Sequence, residues 1–246
     1  YIVEHVSRDG VHKATMVWVY DQGPANGSNN VTFGFVPVPA DSKATQLLLC
    51  FVRSVLDATK VENGPSFAQV ILSRNNEPCL VSLRTLAHGG RSRPLCKALT
   101  GGYSQVDVVV DAYLGGESFN KIPDKPASPF PASGQEVRLV SFSRGTVNST
   151  PGFEVIKNLP SFLSMETTVT AGSTIDYTTD MATSVGVVLL LHRDATVVQR
   201  DLEFIRYMEK IHGFFVLAAK MENLKRPHGE QVVLDPEIDA TYNSAA

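Results

Sequence analysis

The sequence predicts a mainly β protein with a few helices, organised as two β-rich units that each carry one main amphipathic helix. Residues 31–72 show such a unit most clearly, because an apolar strand at 31–39 precedes a capped amphipathic helix and a second strand. One other long helical pattern, at about residues 199–212, also precedes an apolar segment, at 214–221. The remaining sequence is typical of short strands separated by turn residues.

Length and composition limit the possible classes of protein. A chain of 246 residues can bury one large core or two modest ones. With 43% hydrophobic and 19% charged residues it is typical of a folded globular protein. The formal net charge of −3 means that any site for nucleic acid or membrane must be a local patch. Three cysteines, an apparent lack of a signal peptide and the absence of a long apolar run favour an intracellular protein.

The first unit begins with strands at 1–3 and 14–20, separated by a turn at 8–10. After the strand at 31–39, Asp41 or Ser42 can cap the first helix by accepting hydrogen bonds from free backbone N–H groups. Strands are expected at 66–72, 80–83, 106–114 and 137–142. The apolar stripe of the helix is expected to face the core, and it comprises Ala44, Leu47, Leu48, Phe51, Val52 and Val55.

Two breaks could divide the chain into domains. A proline-rich stretch at 120–134 can neither continue a helix nor contribute fully to a sheet, and a turn-forming segment lies at 148–152. We expect domains at 1–147 and 148–246, because the strand at 137–142 then completes the first sheet; the alternative boundary is 120–134. The second unit is expected to contain strands at 153–156, 165–171 and 185–192 and a helix ending at a left-handed Gly213.

The sequence contains no recognisable catalytic motif, since the nucleophile-elbow, phosphate-loop and zinc-protease patterns are all missing. Cys79, His88 and Cys96 have side chains suited to zinc, but their spacing matches no common site. Asp107 and Asp111 would share one face of the predicted strand at 106–114 as a metal or acid–base pair, although a solvated face is favoured. We therefore expect no catalytic residue, no metal and no cofactor.

One local concentration of positive charge stands out. No acidic residue lies between Glu77 and Asp107, whereas four basic residues do. This segment is a candidate membrane- or nucleocapsid-binding patch, suited to phosphate or anionic lipid headgroups. The alternative, left open here, is a solvated loop whose charges pair with acidic residues elsewhere. The patch comprises Arg84, Arg91, Arg93 and Lys97, and a secondary basic group comprises Lys210, Lys220, Lys225 and Arg226.

A resemblance to one family covers most of the chain. The segments 1–3, 9–15, 31–39, 63–67 and 70–74, with the intervening helix, look like the N-terminal domain of pneumovirus matrix proteins. The segments 137–142, 153–156, 160–164 and 185–191 resemble the middle of paramyxovirus matrix proteins, and 202–219 resembles their C-terminal domain.

This resemblance implies two β-sandwich-like domains and a non-enzymatic structural protein of virion assembly and budding. The implied partners are a second copy of the chain in a dimer and higher lattice, anionic membrane lipid, the viral nucleocapsid and RNA bound without sequence specificity. The implied location is the virion beneath the envelope, the host cytoplasm and the inner face of the host membrane. The main alternative is a jelly-roll capsid subunit of a non-enveloped RNA virus. A third is an enzyme whose site is assembled from distant residues.

Overall fold

The structure is a computed structural model that describes residues 1–218. Its strands are β1 (Ile2–Arg8), β2 (Val11–Ala25), β3 (Ser28–Pro37), β4 (Gly64–Leu72), β5 (Pro78–Arg84), β6 (Ser133–Leu139), β7 (Gly145–Ser149), β8 (Phe162–Glu166), β9 (Thr174–Ile175), β10 (Gly186–His192) and β11 (Val216–Leu217). Its helices are α1 (Lys43–Ala58), α2 (Arg93–Thr100), α3 (Gln105–Leu114), α4 (Gly116–Lys121), α5 (Pro151–Lys157) and α6 (Ala195–Lys210).

The central feature is an eight-stranded antiparallel sheet with the strand order β5-β4-β1-β2-β3-β6-β10-β8. A small second sheet has the order β11-β7-β9. The large sheet takes strands from both sides of residue 148, so the prediction of two β-sandwich-like domains is wrong. The predicted boundary itself, at 148 or at 120–134, remains untested.

The two halves of the large sheet join where β3 pairs with β6. Gly34 lies opposite Val137 at this junction. A Cβ atom on Gly34 would lie 2.1 Å from the carbonyl oxygen of Glu136, a distance that no side chain can adopt. Glycine at this position therefore permits the close backbone approach that makes one sheet out of two halves.

Along each strand the side chains alternate between the two faces of the large sheet. Helices cover both of these faces. On one face α1 packs over Val3 and Val17, while α5 and α6 pack over Val137 and Val188. The opposite face carries α2 and is called the α2 face below. Its core joins side chains of the sheet to those of α2, namely Ile2, Trp18, Phe35, Phe67, Val187 and Leu189 with Leu95, Cys96 and Leu99.

Two predicted strands are helices. The segment 106–114 forms α3, which begins with a capping box made by Ser104 and Asp107. The segment 153–156 lies in α5, which has Pro151 in its first turn. Both helices are short and apolar, so their hydrophobic pattern alone did not distinguish them from buried strands. Asp107 and Asp111 consequently lie on a helix, and the strand-face pairing expected for them is wrong.

The two long helices agree with the sequence predictions, and each begins at a capping side chain. The hydroxyl group of Ser42 accepts a hydrogen bond from the backbone N–H of Thr45, and Asp194 caps α6 through Thr196. The left-handed residue after α6 is His212, with φ of 57°, rather than the expected Gly213. Strand β11 covers part of the predicted segment 214–221, whose end lies outside the described residues. Within residues 1–218, no helix is both long and apolar enough to cross a bilayer.

His5 should make the folded protein sensitive to acid. It is fully buried, and neither ring nitrogen has a hydrogen-bond partner among residues 1–218. Burial, together with the charges of Arg53 and His12, lowers the pKa of His5 from 6.5 to about 3. Below pH 6.5 the unfolded chain gains a proton that the folded chain does not, so stability is lost as the pH falls.

We expect this difference to lower the free energy of unfolding by about 2 kcal/mol between pH 7 and pH 5. The variant His5→Leu should lose that part of the pH dependence, whereas the matched variant His192→Leu should keep it. Urea unfolding curves at both pH values measure the effect. An unchanged pH dependence in His5→Leu would contradict this account.

Asp107 should stabilise the start of α3. Burial raises the pKa of Asp107, but hydrogen bonds from Arg93 and Ser104 outweigh it and lower the pKa to about 2. The variant Asp107→Asn should lower the free energy of unfolding by about 1 kcal/mol at pH 7, because the cap and the ion pair are both weakened. Asp111→Asn, which removes the same charge outside the cap, is the control for the same denaturation measurement. Equal effects of the two variants would rule out the capping role.

Candidate functional site

The candidate site lies on the α2 face, where residues 85–92 connect β5 to α2. This connecting loop reaches across several strands of the large sheet. His88 contacts Glu4 of β1, Ser92 contacts Glu136 of β6, and Arg91 contacts Glu166 of β8. The loop thereby brings side chains from both halves of the sheet to one place.

A groove of about 430 Å³ lies between this loop and the sheet. Its volume falls in the range of ligand-binding sites in proteins. A second depression of about 580 Å³ shares Arg91, Arg138 and Glu166 with it, so the two form one extended concave surface. The polar side chains that line the groove are His88, Arg91, Ser92, Glu136, Arg138 and Glu166.

The floor of the groove carries a largely buried ion pair. Glu136 and Arg138 lie two residues apart on β6 and therefore point to the same face. Their closest atoms, Oε1 and Nη2, are 3.2 Å apart, and the hydroxyl group of Ser92 donates to Glu136 Oε2. The guanidinium group of Arg138 lies 5.3 Å from the ring centre of Phe35.

Arg138 has spare capacity to bind an anion. Burial lowers its pKa, and the attraction of Glu136 opposes that shift. Its Nε atom is buried and has no hydrogen-bond partner among the described residues. An unpaired buried donor is costly, so an acceptor atom of a ligand placed there would be stabilised.

The rim of the groove carries a second, more exposed ion pair. Arg91 Nε lies 2.6 Å from Glu166 Oε2, and the two side chains are 46% and 57% exposed. Val187 of β10 pairs with both Arg138 and Glu166, so the carboxylates of the buried and the exposed ion pairs lie on the two strands that flank β10. Exposed ion pairs contribute little to stability, so Arg91 can change partners at small cost.

At the other end of the groove His88 is tied to a buried carboxylate. Its Nδ1 atom lies 2.8 Å from Glu4 Oε1. Glu4 also accepts hydrogen bonds from Trp18 Nε1 at 2.7 Å and from Thr15 Oγ1 at 3.4 Å. The imidazole ring packs against the rings of Phe35 and Phe67.

The structure disperses the predicted basic patch rather than gathering it on one surface. Arg91 lines the groove, whereas Arg93 and Lys97 lie on α2 and approach Asp107 at 2.5 and 3.5 Å. Arg84 lies on β5 above the ring of Phe67. Arg91, Arg93 and Lys97 thus pair with acidic residues, as expected for the alternative of a loop whose charges pair with acidic residues elsewhere. Binding of the basic patch to membrane or nucleocapsid stays a prediction.

The remaining sequence candidates do not come together. Lys210 is exposed at the end of α6, while Lys220, Lys225 and Arg226 lie outside the described residues. Cys79 is exposed, Cys96 is buried in the core with a raised thiol pKa, and His88 is bound to Glu4. Among residues 1–218, no three His, Cys, Asp or Glu side chains cluster as a metal site would require.

Sequence reasoning missed the acidic residues of the groove. Glu136 and Arg138 alternate with the apolar residues Val137 and Leu139 along β6 and share a face, and Glu4 lies among the buried residues of β1. Charged residues at alternate positions of a buried strand are unusual, because each must find a partner. That pattern was the available signal for these residues.

Comparisons with known proteins identify the fold. No protein-family model matches the chain, and no curated protein matches its sequence. Among solved structures, it is similar to an L-amino acid ligase from Bacillus licheniformis, with a TM-score of 0.67, 14% identity and coverage of 84% of this chain and 52% of that one. It is also similar to a phosphoribosylglycinamide synthetase from Anaerococcus prevotii, with a TM-score of 0.62, 11% identity and coverage of 88% and 53%.

A third match is an N5-carboxyaminoimidazole synthetase from Staphylococcus aureus complexed with ADP, with a TM-score of 0.53, 13% identity and coverage of 85% and 50%. The chain spans about half the length of these solved structures. Because all three are enzymes with a different architecture from that expected, the matches correct the predictions of a matrix or capsid protein and of a protein without enzymatic activity. Over 84 to 88% of its length the chain therefore shares the fold of about half of each of these structures, which have the ATP-grasp fold.

Proposed function

We propose that the chain is part of an ATP-dependent ligase that joins a carboxylic acid to an amine. The observation that carries this proposal is the fold match to the L-amino acid ligase, which extends over 84% of the chain. We propose ATP as the nucleotide because one of the similar structures, a synthetase, was solved in complex with ADP. In this reaction ATP is a substrate that activates the carboxyl group for attack by the amine.

The charges of the groove support a substrate with an anionic group. Arg138 has a buried donor without a partner, and Arg91 is held only by an exposed ion pair. Guanidinium groups bind carboxylates and phosphates through paired hydrogen bonds. We assign the carboxylate of the acid substrate to Arg138, with Arg91 available at the rim.

The groove does not fit a metal ion. Magnesium in nucleotide sites usually binds one or two carboxylates together with phosphate oxygens. Here Glu136 is engaged by Ser92 and Arg138, and Glu166 is engaged by Arg91. Since both carboxylates already face guanidinium groups, the described residues favour an anion, and we assign no step to a metal.

The proposed activity can be measured as carboxylate-dependent ADP formation. The protein is incubated with ATP, magnesium, hydroxylamine and a panel of amino acids and other carboxylic acids. Hydroxylamine captures an activated carboxyl group as a coloured hydroxamate. We expect at least one acid to increase both ADP and hydroxamate in equal amounts. A panel in which no acid increases either product would contradict the proposal.

Replacing Arg138 should weaken binding of the acid substrate. The variant Arg138→Met loses a hydrogen bond to a charged group, so the KM for the acid should rise roughly 10- to 100-fold with a smaller change in kcat. Arg144→Met is the matched control, because Arg144 is exposed and pairs with Asp176 outside the groove. Thermal unfolding of each variant separates lost binding from lost folding. An unchanged KM in a folded Arg138→Met protein would exclude this role.

A further inference from the structure

His88 has one ring nitrogen committed to the protein and one available to a ligand. The Nδ1 atom lies 2.8 Å from Glu4 Oε1, and a carboxylate offers only acceptors, so Nδ1 carries the hydrogen of this bond. In the neutral ring the other nitrogen, Nε2, is then an acceptor. Nε2 makes no hydrogen bond within residues 1–218, and the ring lines the groove.

The surroundings hold the ring in this orientation. Phe35 and Phe67 pack against it with centre-to-centre distances of 5.9 and 5.0 Å. The loop itself is anchored, because the backbone N–H of His88 donates to Gln105 Oε1 at 2.8 Å. Glu4 is fixed in turn by Trp18 and Thr15. The free nitrogen therefore has a defined position before any ligand arrives.

The other polar side chains of the groove are poorly suited to accept a proton. Arg91 and Arg138 carry donors only. Glu136 and Glu166 already bind guanidinium groups, and Ser92 donates to Glu136. Glu136 Oε1 has no hydrogen-bond partner within residues 1–218, but it forms the ion pair with Arg138 at 3.2 Å. Among the described titratable side chains of the groove, His88 has an acceptor, Nε2, that is in neither a hydrogen bond nor an ion pair.

We propose that His88 is the general base of the ligation step and that Glu4 is its positioning residue; this inference rests on the proposed ligase function. The amine nitrogen attacks the carbonyl carbon of an acyl phosphate formed from the acid and ATP. The C–N bond forms, the bond between that carbon and the phosphate oxygen breaks, and phosphate leaves with the electron pair. The nitrogen loses one proton to His88 Nε2, which later releases it to water.

The test compares two nucleophiles in the same protein. Both nucleophiles lose one N–H proton when they form the product. Hydroxylamine is a strong nucleophile that is mostly unprotonated at neutral pH, so water can take this proton, whereas the less reactive alkyl amine depends on His88 to take it. In His88→Asn, the side-chain amide can still donate to Glu4 in place of Nδ1, but nothing replaces Nε2. We expect kcat for amide formation to fall roughly 100-fold or more, while hydroxamate formation stays within a few fold of wild type.

Two further variants complete the experiment. Glu4→Gln, which leaves the base but weakens its positioning, should give a loss of amide formation smaller than that of His88→Asn and should spare hydroxamate formation. His192→Asn is the control, because His192 also forms a hydrogen bond through Nδ1 but does not line the groove. It should leave both products unchanged.

The outcomes separate the two proposals. If the wild-type protein forms no hydroxamate with any acid, the ligase function fails. If it forms hydroxamate and His88→Asn reduces both products equally, His88 has only a structural role and the general-base proposal is overturned. Full amide formation by a folded His88→Asn protein would overturn it as well.

Discussion

The buried carboxylate of Glu4 is the constraint on which the arrangement of the groove depends. Removing a carboxylate from water costs several kcal/mol unless donors replace the lost hydration. Trp18 and Thr15 supply two donors from the neighbouring strand, and His88 supplies the third from the connecting loop. Because the third donor comes from the loop, satisfying Glu4 also fixes the loop over the α2 face. The same bond determines which nitrogen of His88 faces the ligand.

The groove also depends on the continuity of the large sheet. Glu4 and His88 come from the first half of the chain, whereas Glu136, Arg138 and Glu166 come from the second. These groups share one face only because β6 pairs with β3, which requires a glycine at position 34. Two separate sandwiches divided at residue 148 would have left Glu166 on a different body from Glu4, His88, Glu136 and Arg138.

Local patterns predicted much of the fold. The two long helices and most strands of the large sheet were predictable, because each has a strong period and a capping or turn residue at its ends. Helices α3 and α5 were not, because Val106–Val110 and the segment 153–156 are largely apolar and too short to distinguish a helical period from a strand period. Their helical state is favoured by the capping box of Ser104 and Asp107 in α3, by Pro151 in the first turn of α5, and by packing against the sheet.

The candidate site was beyond the reach of local patterns for a different reason. The residues that meet in it come from distant parts of the chain, as Glu4 with His88 and Arg91 with Glu166 illustrate. Arg84, Arg91, Arg93 and Lys97, by contrast, are close in sequence, so the basic segment is the feature that a local pattern reveals. The folded structure shows that Arg91 lines the groove, whereas Arg93 and Lys97 lie on α2 and pair with Asp107.

The two arginines of the groove have different physical roles. Arg138 is largely buried between Glu136 and the ring of Phe35, so its position is set by the folded sheet. Arg91 is held by an exposed ion pair worth at most about 1 kcal/mol, so a ligand anion can compete with Glu166 for it. Because Arg138 is fixed and Arg91 can change partners, the groove can orient an anion through Arg138 and adjust to the size of that anion through Arg91. The rigid end, near His88 and Arg138, is then the end at which atoms must be held for chemistry, because preorganisation there costs nothing at the moment of reaction.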